Sequence, residues 1–219
     1  ARDDVLRRVL ETIKHVCQAL EYAHAMEVVH RDVKPENIMM GSFGEVYLLD
    51  WGIAVRLDRI AETPKGVVGT PSYMAPEMLS GYPQDITRLT DVFLLGATLH
   101  EILTGKPRHE SRGTLGALSQ ASRCLPHEYP ADVPPDLAAL ANDACAVKPK
   151  DRPQSVAEFR IRIEGHLERW EANRIAILAH RKLEDLKSTI DVATTSIDSA
   201  SRIRQAFSEA RIGYEQVLY

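Results

Sequence analysis

Residues 30–37 read HRDVKPEN, and this stretch decides how the rest of the chain is interpreted. It brings a carboxylate, an ammonium group and an amide together in one short polar segment that contains a proline. Short apolar runs flank it, Val28-Val29 on one side and Ile38-Met39-Met40 on the other. Proline and polar residues between two short apolar runs are typical of a loop between strands. The sequence therefore predicts that this polar segment lies between two very short strands.

Helical periodicity dominates the remainder of the chain. Apolar residues recur at spacings of three and four, which is typical of helices with one buried face. The predicted helices cover residues 5–26, 91–103, 113–123, 135–147 and a long amphipathic segment from 155 onward, with a break near 194–196. Residues 52–85 show no sustained period and are predicted to form a long ordered loop, which in a compact domain is usually functional. The predicted fold class is mainly α, with a small β-hairpin pair around residues 28–49.

Composition excludes several classes of protein. The 219 residues are 44% hydrophobic and 26% charged, unlike a disordered chain, and the net charge of −4 without a dense basic block argues against nucleic-acid binding. No apolar run is long enough for a membrane span, and residues 1–4 lack the apolar core of a signal peptide. The three cysteines are far apart, which argues against a zinc site or disulfides and favours the reducing cytoplasm.

Two further motifs follow the 30–37 loop in a fixed order. Asp50-Trp51-Gly52 begins thirteen residues after Asn37, and Gly69-Thr70-Pro71-Ser72-Tyr73-Met74-Ala75-Pro76-Glu77 comes later. The three motifs resemble the H-R-D-x-x-x-x-N loop, the D-F-G motif and the A-P-E segment of eukaryotic-like Ser/Thr protein kinases, in particular those of bacteria. The resemblance covers about residues 5–165, more than two thirds of the chain.

The resemblance implies transfer of the γ-phosphoryl group of ATP to a Ser or Thr hydroxyl of a protein substrate, with Mg²⁺. Asp32 would orient that hydroxyl and accept its proton, and Lys34 would offset the charge of the transferring phosphate. Asn37 and Asp50 would bind Mg²⁺, a cation that prefers oxygen ligands. Thr70 would brace Asp32 and Lys34 from the substrate-side loop.

Other residues would support these by resemblance. His30 would serve mainly in packing, and Trp51 replaces the family's phenylalanine but should still pack against His30. Asp91 would hydrogen-bond to the backbone of the catalytic loop, because a buried acid needs partners. Glu77 and Arg152 would form an ion pair between the A-P-E segment and the lower helices.

Residues near the hairpin allow two interpretations each. Met39 would form part of the floor of the adenine pocket, although a core methionine that fills a gap describes it equally well. Residues 41–46, GSFGEV, look like part of a Gly-rich phosphate loop. That loop precedes the catalytic loop by a whole lobe in kinases, whereas 41–46 follows it directly, so a hairpin turn is predicted instead.

Regulation by phosphorylation is also implied. In kinases with an arginine beside the catalytic aspartate, as Arg31 is here, a phosphate in the following loop usually pairs with it. Thr63 is the favoured site, because Thr70 is needed unmodified and a phosphate on Ser72 would crowd the substrate channel. Three basic residues near Thr63 could add charge pairing: Arg56, Arg59 and Lys65.

The ATP-binding lobe is not found in this sequence. Only 31 residues precede Asp32, too few for a five-stranded sheet and its helix. We therefore expect residues 1–165 to form a C-terminal kinase lobe that is inactive without the N-terminal lobe of the same polypeptide. Residues 166–219 would form a helical extension that folds back on the lobe, dimerises as a coiled coil or begins a helical-repeat region.

The alternative is a pseudokinase or docking module that binds a partner without catalysis. The missing lobe favours that alternative. The complete set of Asp32, Lys34, Asn37 and Asp50 argues against it, since a lobe without ATP chemistry has no need of all four.

Overall fold

Helices form most of the described structure, which confirms the predicted fold class. The computed structural model describes residues 2–193 together with residues 205, 207 and 208. The helices are α1 (Arg2–Ala25), α2 (Arg88–Thr104), α3 (Thr114–Arg123), α4 (Pro135–Ala144) and α5 (Val156–Ala193). The strands are β1 (Val28–Val29), β2 (Ile38–Met40), β3 (Val46–Leu48) and β4 (Val55–Arg56). Short 3₁₀ helices cover Pro35–Asn37, Leu57–Glu62, Pro76–Ser80, Pro83–Asp85 and Pro149–Asp151.

Helix α2 is the central element of the core. It is buried on nearly all sides, as its almost wholly apolar sequence predicts. The side chain of Thr87 caps its first turn, and Gly105, with φ of 74°, ends it in the left-handed conformation. At Gly96 a Cβ would lie 2.5 Å from the Cβ of Ala144, so only glycine allows α4 to approach α2 this closely.

The strands form two small antiparallel pairs. β2 and β3 form the predicted hairpin, with Met39 opposite Tyr47 and Gly44 at φ of 90° in the turn. This structure supports the hairpin interpretation of residues 41–46. β1 pairs with β4, which lies inside residues 52–85, where the sequence predicts no regular structure. That pairing anchors the first part of the long loop to the segment that leads into residues 30–37.

The chain divides into two compact units, Ala1–Glu164 and Gly165–Tyr219. In the second unit, Ala179 and Leu186 of α5 are buried. The predicted break at 194–196 lies outside the described residues, and dimerisation through the C-terminal helices stays a prediction. Among the described helices, none combines the length and apolar character that a membrane crossing requires.

A buried ion pair ties the long loop to the lower helices. Arg152 donates to both carboxylate oxygens of Glu77, at 2.7 and 2.8 Å, and its side chain is fully buried. It also donates to the carbonyl oxygens of Ala146, Leu89 and Val147. Thr90 donates a further hydrogen bond to Glu77. The pair therefore connects three separate parts of the chain.

Replacing Arg152 by methionine should lower the free energy of unfolding by about 3–5 kcal/mol, because the Glu77 carboxylate is left buried without its cation. Urea unfolding of the 219-residue chain measures this change. The double variant Glu77→Gln/Arg152→Met is the control and should lose less than the sum of the two single variants. Additive losses would show that the pair does not act as a unit.

Candidate active site

The buried carboxylate of Asp91 organises the backbone of residues 30–37. Asp91 lies in the first turn of α2 and has no exposed surface. Its Oδ2 accepts a hydrogen bond from the backbone N–H of His30 and its Oδ1 accepts one from that of Arg31, both at 2.9 Å. The Nε2 atom of His24 lies 2.8 Å from Oδ2. A carboxylate with this many hydrogen-bond partners can be buried. Its charge-assisted bonds in turn fix the backbone N–H groups of His30 and Arg31 in position.

Arg31 adopts a backbone conformation that non-glycine residues rarely take. Its φ is 69°, in the left-handed region, and the hydrogen bond from its N–H to Asp91 compensates for the strain. The turn directs the chain so that Asp32, one residue further, reaches the polar cluster described next. Asp91 is therefore the residue that sets the shape of this loop.

Asp32 is the centre of a compact polar cluster. Its Oδ2 accepts hydrogen bonds from Lys34 Nζ at 2.7 Å and from Asn37 Nδ2 at 3.0 Å, and its Oδ1 accepts one from the Thr70 hydroxyl at 2.7 Å. Lys34 Nζ also donates to the Thr70 oxygen at 2.6 Å. Burial raises the pKa of Asp32, but the bonds from Lys34, Thr70 and Asn37 together outweigh it and lower the pKa. The carboxylate is therefore charged at neutral pH.

Asn37 and Asp50 lie at the two ends of the β2–β3 hairpin. The backbone N–H of Leu49 donates to the carbonyl oxygen of Asn37 at 2.7 Å, which brings the residue before Asp50 to Asn37. Asp50 has φ of 58° and is exposed, and its Oδ1 accepts a hydrogen bond from the N–H of Gly52. Because Asn37 Nδ2 is used by Asp32, its amide oxygen is left for another partner.

His30 and Trp51 pack together as the sequence predicts. Their rings meet edge to face with centroids 4.5 Å apart. The indole N–H of Trp51 donates to the carbonyl oxygen of Leu48 at 2.9 Å, so the larger aromatic ring has the partner it needs. Met39 on the hairpin is 48% exposed, so it does not fill a gap in the core.

The sequence did not indicate which residues fix the segment 72–74, which directly follows Thr70 and Pro71. The Tyr73 hydroxyl donates a short hydrogen bond to Glu101 of α2, and the pKa of Tyr73 is raised by burial and by that carboxylate. The backbone N–H of His109 donates to the carbonyl oxygen of Ser72, and the Nε2 atom of His109 lies 3.0 Å from the carbonyl oxygen of Met74. An acidic residue late in a mostly apolar helix, as Glu101 is, was the available signal.

The long loop gives Arg31 a partner that the sequence did not predict. Arg31 Nε donates to the carbonyl oxygen of Ile53 at 2.6 Å, so its side chain has a backbone partner without any phosphate. Arg56 forms two hydrogen bonds with Asp58 and is likewise engaged. Thr63 follows the 3₁₀ helix Leu57–Glu62 and is half-buried. Its phosphorylation stays a prediction.

Comparison with known proteins agrees with this geometry. A family model described as "Protein kinase domain" matches residues 6–160. Relatives include the Ser/Thr-protein kinases PknD of Chlamydia felis (30% identical over 94% of this chain), Chlamydia pneumoniae (35% over 72%) and Protochlamydia amoebophila (37% over 74%). This chain covers 26%, 19% and 18% of those three proteins, respectively. The chain therefore belongs to the protein kinase family and is of the bacterial Ser/Thr type.

Proposed function

We propose that this chain is the C-terminal lobe of a Ser/Thr protein kinase that phosphorylates Ser or Thr hydroxyls of a protein substrate with ATP. The observation that carries the proposal is the set of three hydrogen bonds on Asp32, from Lys34, Asn37 and Thr70. They hold a charged carboxylate in one orientation where the 30–37 loop meets the long loop. A positioned carboxylate of this kind can orient a hydroxyl and take up its proton.

Lys34 and Thr70 serve this chemistry in different ways. Lys34 Nζ bridges Asp32 and Thr70, so its positive charge is fixed beside the carboxylate and can offset negative charge on a transferring phosphoryl group. Thr70 belongs to the long loop and ties that loop to Asp32. This hydrogen bond keeps the substrate-side loop at a fixed position relative to the catalytic carboxylate.

The residues around Asn37 and Asp50 fit a magnesium ion. The amide oxygen of Asn37 and the carboxylate of Asp50 are hard oxygen donors, and Mg²⁺ usually takes only one or two protein ligands. When bound with ATP, the ion would neutralise phosphate charge, and Asn37 would keep its amide N–H₂ on Asp32.

ATP binding needs more than these residues. Met39 is exposed on the open hairpin, where it would contact adenine once an ATP-binding lobe of the same polypeptide covers it. We infer that the lobe described here is inactive by itself. A cytoplasmic location remains part of the proposal, supported by three buried free cysteines: Cys17, Cys124 and Cys145.

In the kinase that carries both lobes, Asp32→Asn should lower turnover by roughly 10²–10⁴-fold, the usual contribution of a positioned general base. Asparagine keeps the size of the side chain but cannot accept the proton of the hydroxyl. Turnover with radiolabelled ATP, Mg²⁺ and a protein acceptor measures the loss, and thermal melting checks that the fold persists.

Two controls accompany this assay. The exposed Asp58→Asn is the matched variant and should keep full turnover, since Asp58 lies outside the cluster and bonds only Arg56 among the contacts described. The 219-residue chain alone should show no turnover. Unchanged activity of Asp32→Asn would contradict the assigned role and favour a docking module.

Phosphorylation of Thr63 is the regulatory part of the proposal. Thr63→Ala should reduce the activity of the two-lobed, ATP-treated kinase by about 5–150-fold, the usual size of a coupling between two states. Mass spectrometry locates the phosphate, and Ser111→Ala, an exposed hydroxyl outside the long loop, is the control. Full activity of Thr63→Ala, or phosphate confined to Ser72, would show that Thr63 is not the switch.

A further inference from the structure

A cavity away from the Asp32 cluster has features of a ligand site. Its volume is about 540 Å³, and it lies between the end of α2, helix α3 and the segment 127–133. Its polar lining includes His100, Lys106, Arg108, Gln120 and His127. None of these residues belongs to the proposed kinase chemistry.

Arg108 lacks the anion that a partly buried cation normally has. Its Nη2 donates to the carbonyl oxygen of Leu125 at 2.7 Å. Its Nε is the one fully buried side-chain nitrogen or oxygen without a hydrogen-bond partner among the described residues. No carboxylate of the described part forms an ion pair with it. The buried thiols of Cys124 and Cys145 lie beside the guanidinium, but burial raises their pKa, so they are neutral and leave its charge without a counterion. Since buried charges are normally paired, this guanidinium points to a missing negative group, which would meet its Nη atoms because Nε is enclosed by protein.

Two imidazoles line the same cavity beside Arg108. His100 is 3% exposed, and its Nδ1 lies 2.8 Å from the hydroxyl of Tyr129. Burial raises the pKa of Tyr129, so its hydroxyl keeps its proton. In the tautomer in which that hydroxyl donates to Nδ1, the imidazole proton of His100 is on Nε2. The ring of His127 meets that of His100 at 4.6 Å. Burial, followed by the charge of Arg108, lowers the pKa of both imidazoles, to about 3 for His100.

The acidic groups of the cavity are at its exposed side. Glu110 is paired with Lys106 at 2.9 Å, and both side chains are more than half exposed. Glu128 and Asp132 are exposed as well, so water and salt screen their charges. Arg108 is half-buried and His100 is buried. The more enclosed wall therefore carries a positive charge and N–H donors.

We propose that this cavity binds a phosphomonoester. The phosphoryl group would take hydrogen bonds from Arg108, from the two imidazoles and from Lys106, while Leu103 and Val133 contact its organic part. A phosphomonoester carries nearly two negative charges and three acceptor oxygens at neutral pH, and these suit the Arg108 guanidinium and the imidazole N–H groups better than the two oxygens of a carboxylate do. Lys106 is exposed and would exchange its pair with Glu110 for the phosphoryl group. The cavity volume exceeds that of a free phosphate ion and leaves room for an organic group. The site is independent of the proposed kinase activity.

Binding can be followed by NMR of the imidazole resonances in the 219-residue chain, titrated with phenyl phosphate at about pH 7, where the phosphoryl group is mostly a dianion. We expect saturable shifts of the His100 and His127 resonances. Arg108→Gln should weaken binding by about tenfold or more, as expected for loss of a charge-assisted bond. The matched control Arg112→Gln removes an exposed arginine outside the cavity and should leave binding unchanged.

Several results would overturn the proposal: no saturable shift with phenyl phosphate, equal binding by Arg108→Gln, or equal affinity for phenyl phosphate and acetate. If Arg108→Gln fails to fold, Lys106→Gln replaces it, because Lys106 is exposed and its loss leaves the core intact. That variant should weaken binding by about threefold, the smaller effect of an exposed charge. Unchanged affinity in Lys106→Gln would then count against the site.

Discussion

The carboxylate of Asp91 is the interaction on which the candidate active site depends. It is fully buried at the start of α2, the most buried helix, and its two oxygens receive the N–H groups of His30 and Arg31. A buried charge without donors would cost several kcal/mol, so the carboxylate and the loop stabilise each other. The left-handed turn at Arg31 exists because these bonds compensate for it.

The polar cluster of the candidate active site depends on that turn. Asp32 follows it and meets Lys34, Asn37 and Thr70, which come from two different loops. Thr70 can serve only if its own loop is fixed, and α2 and the segment after it hold that loop through Glu101 and His109. One buried helix therefore positions both sides of the polar cluster, with Asp91 near one end and Glu101 near the other.

The sequence predicts this arrangement where neighbours along the chain determine it. Periodicity locates the helices, and the resemblance of three motifs to those of protein kinases points to the polar loop, the metal-binding candidates and Thr70. The sequence does not predict strand β4, the partner of Arg31 or the contacts of His109 with the long loop. These depend on backbone groups such as the carbonyl oxygens of Ile53 and Met74, which any residue type can supply. Side-chain chemistry leaves a trace in the sequence, whereas a carbonyl oxygen brought near by folding leaves none.

Amide hydrogen exchange of His30 and Arg31 tests the role of Asp91 most directly. In the 219-residue chain both amides should be protected, and Asp91→Ala should remove that protection while the amides in the middle of α2 stay protected. The expected loss is about tenfold to a hundredfold in protection factor, equal to ~1.5–3 kcal/mol for a hydrogen bond to a charged group. Unchanged protection of His30 and Arg31 in Asp91→Ala would contradict the account, because the loop would then hold its shape without the buried carboxylate.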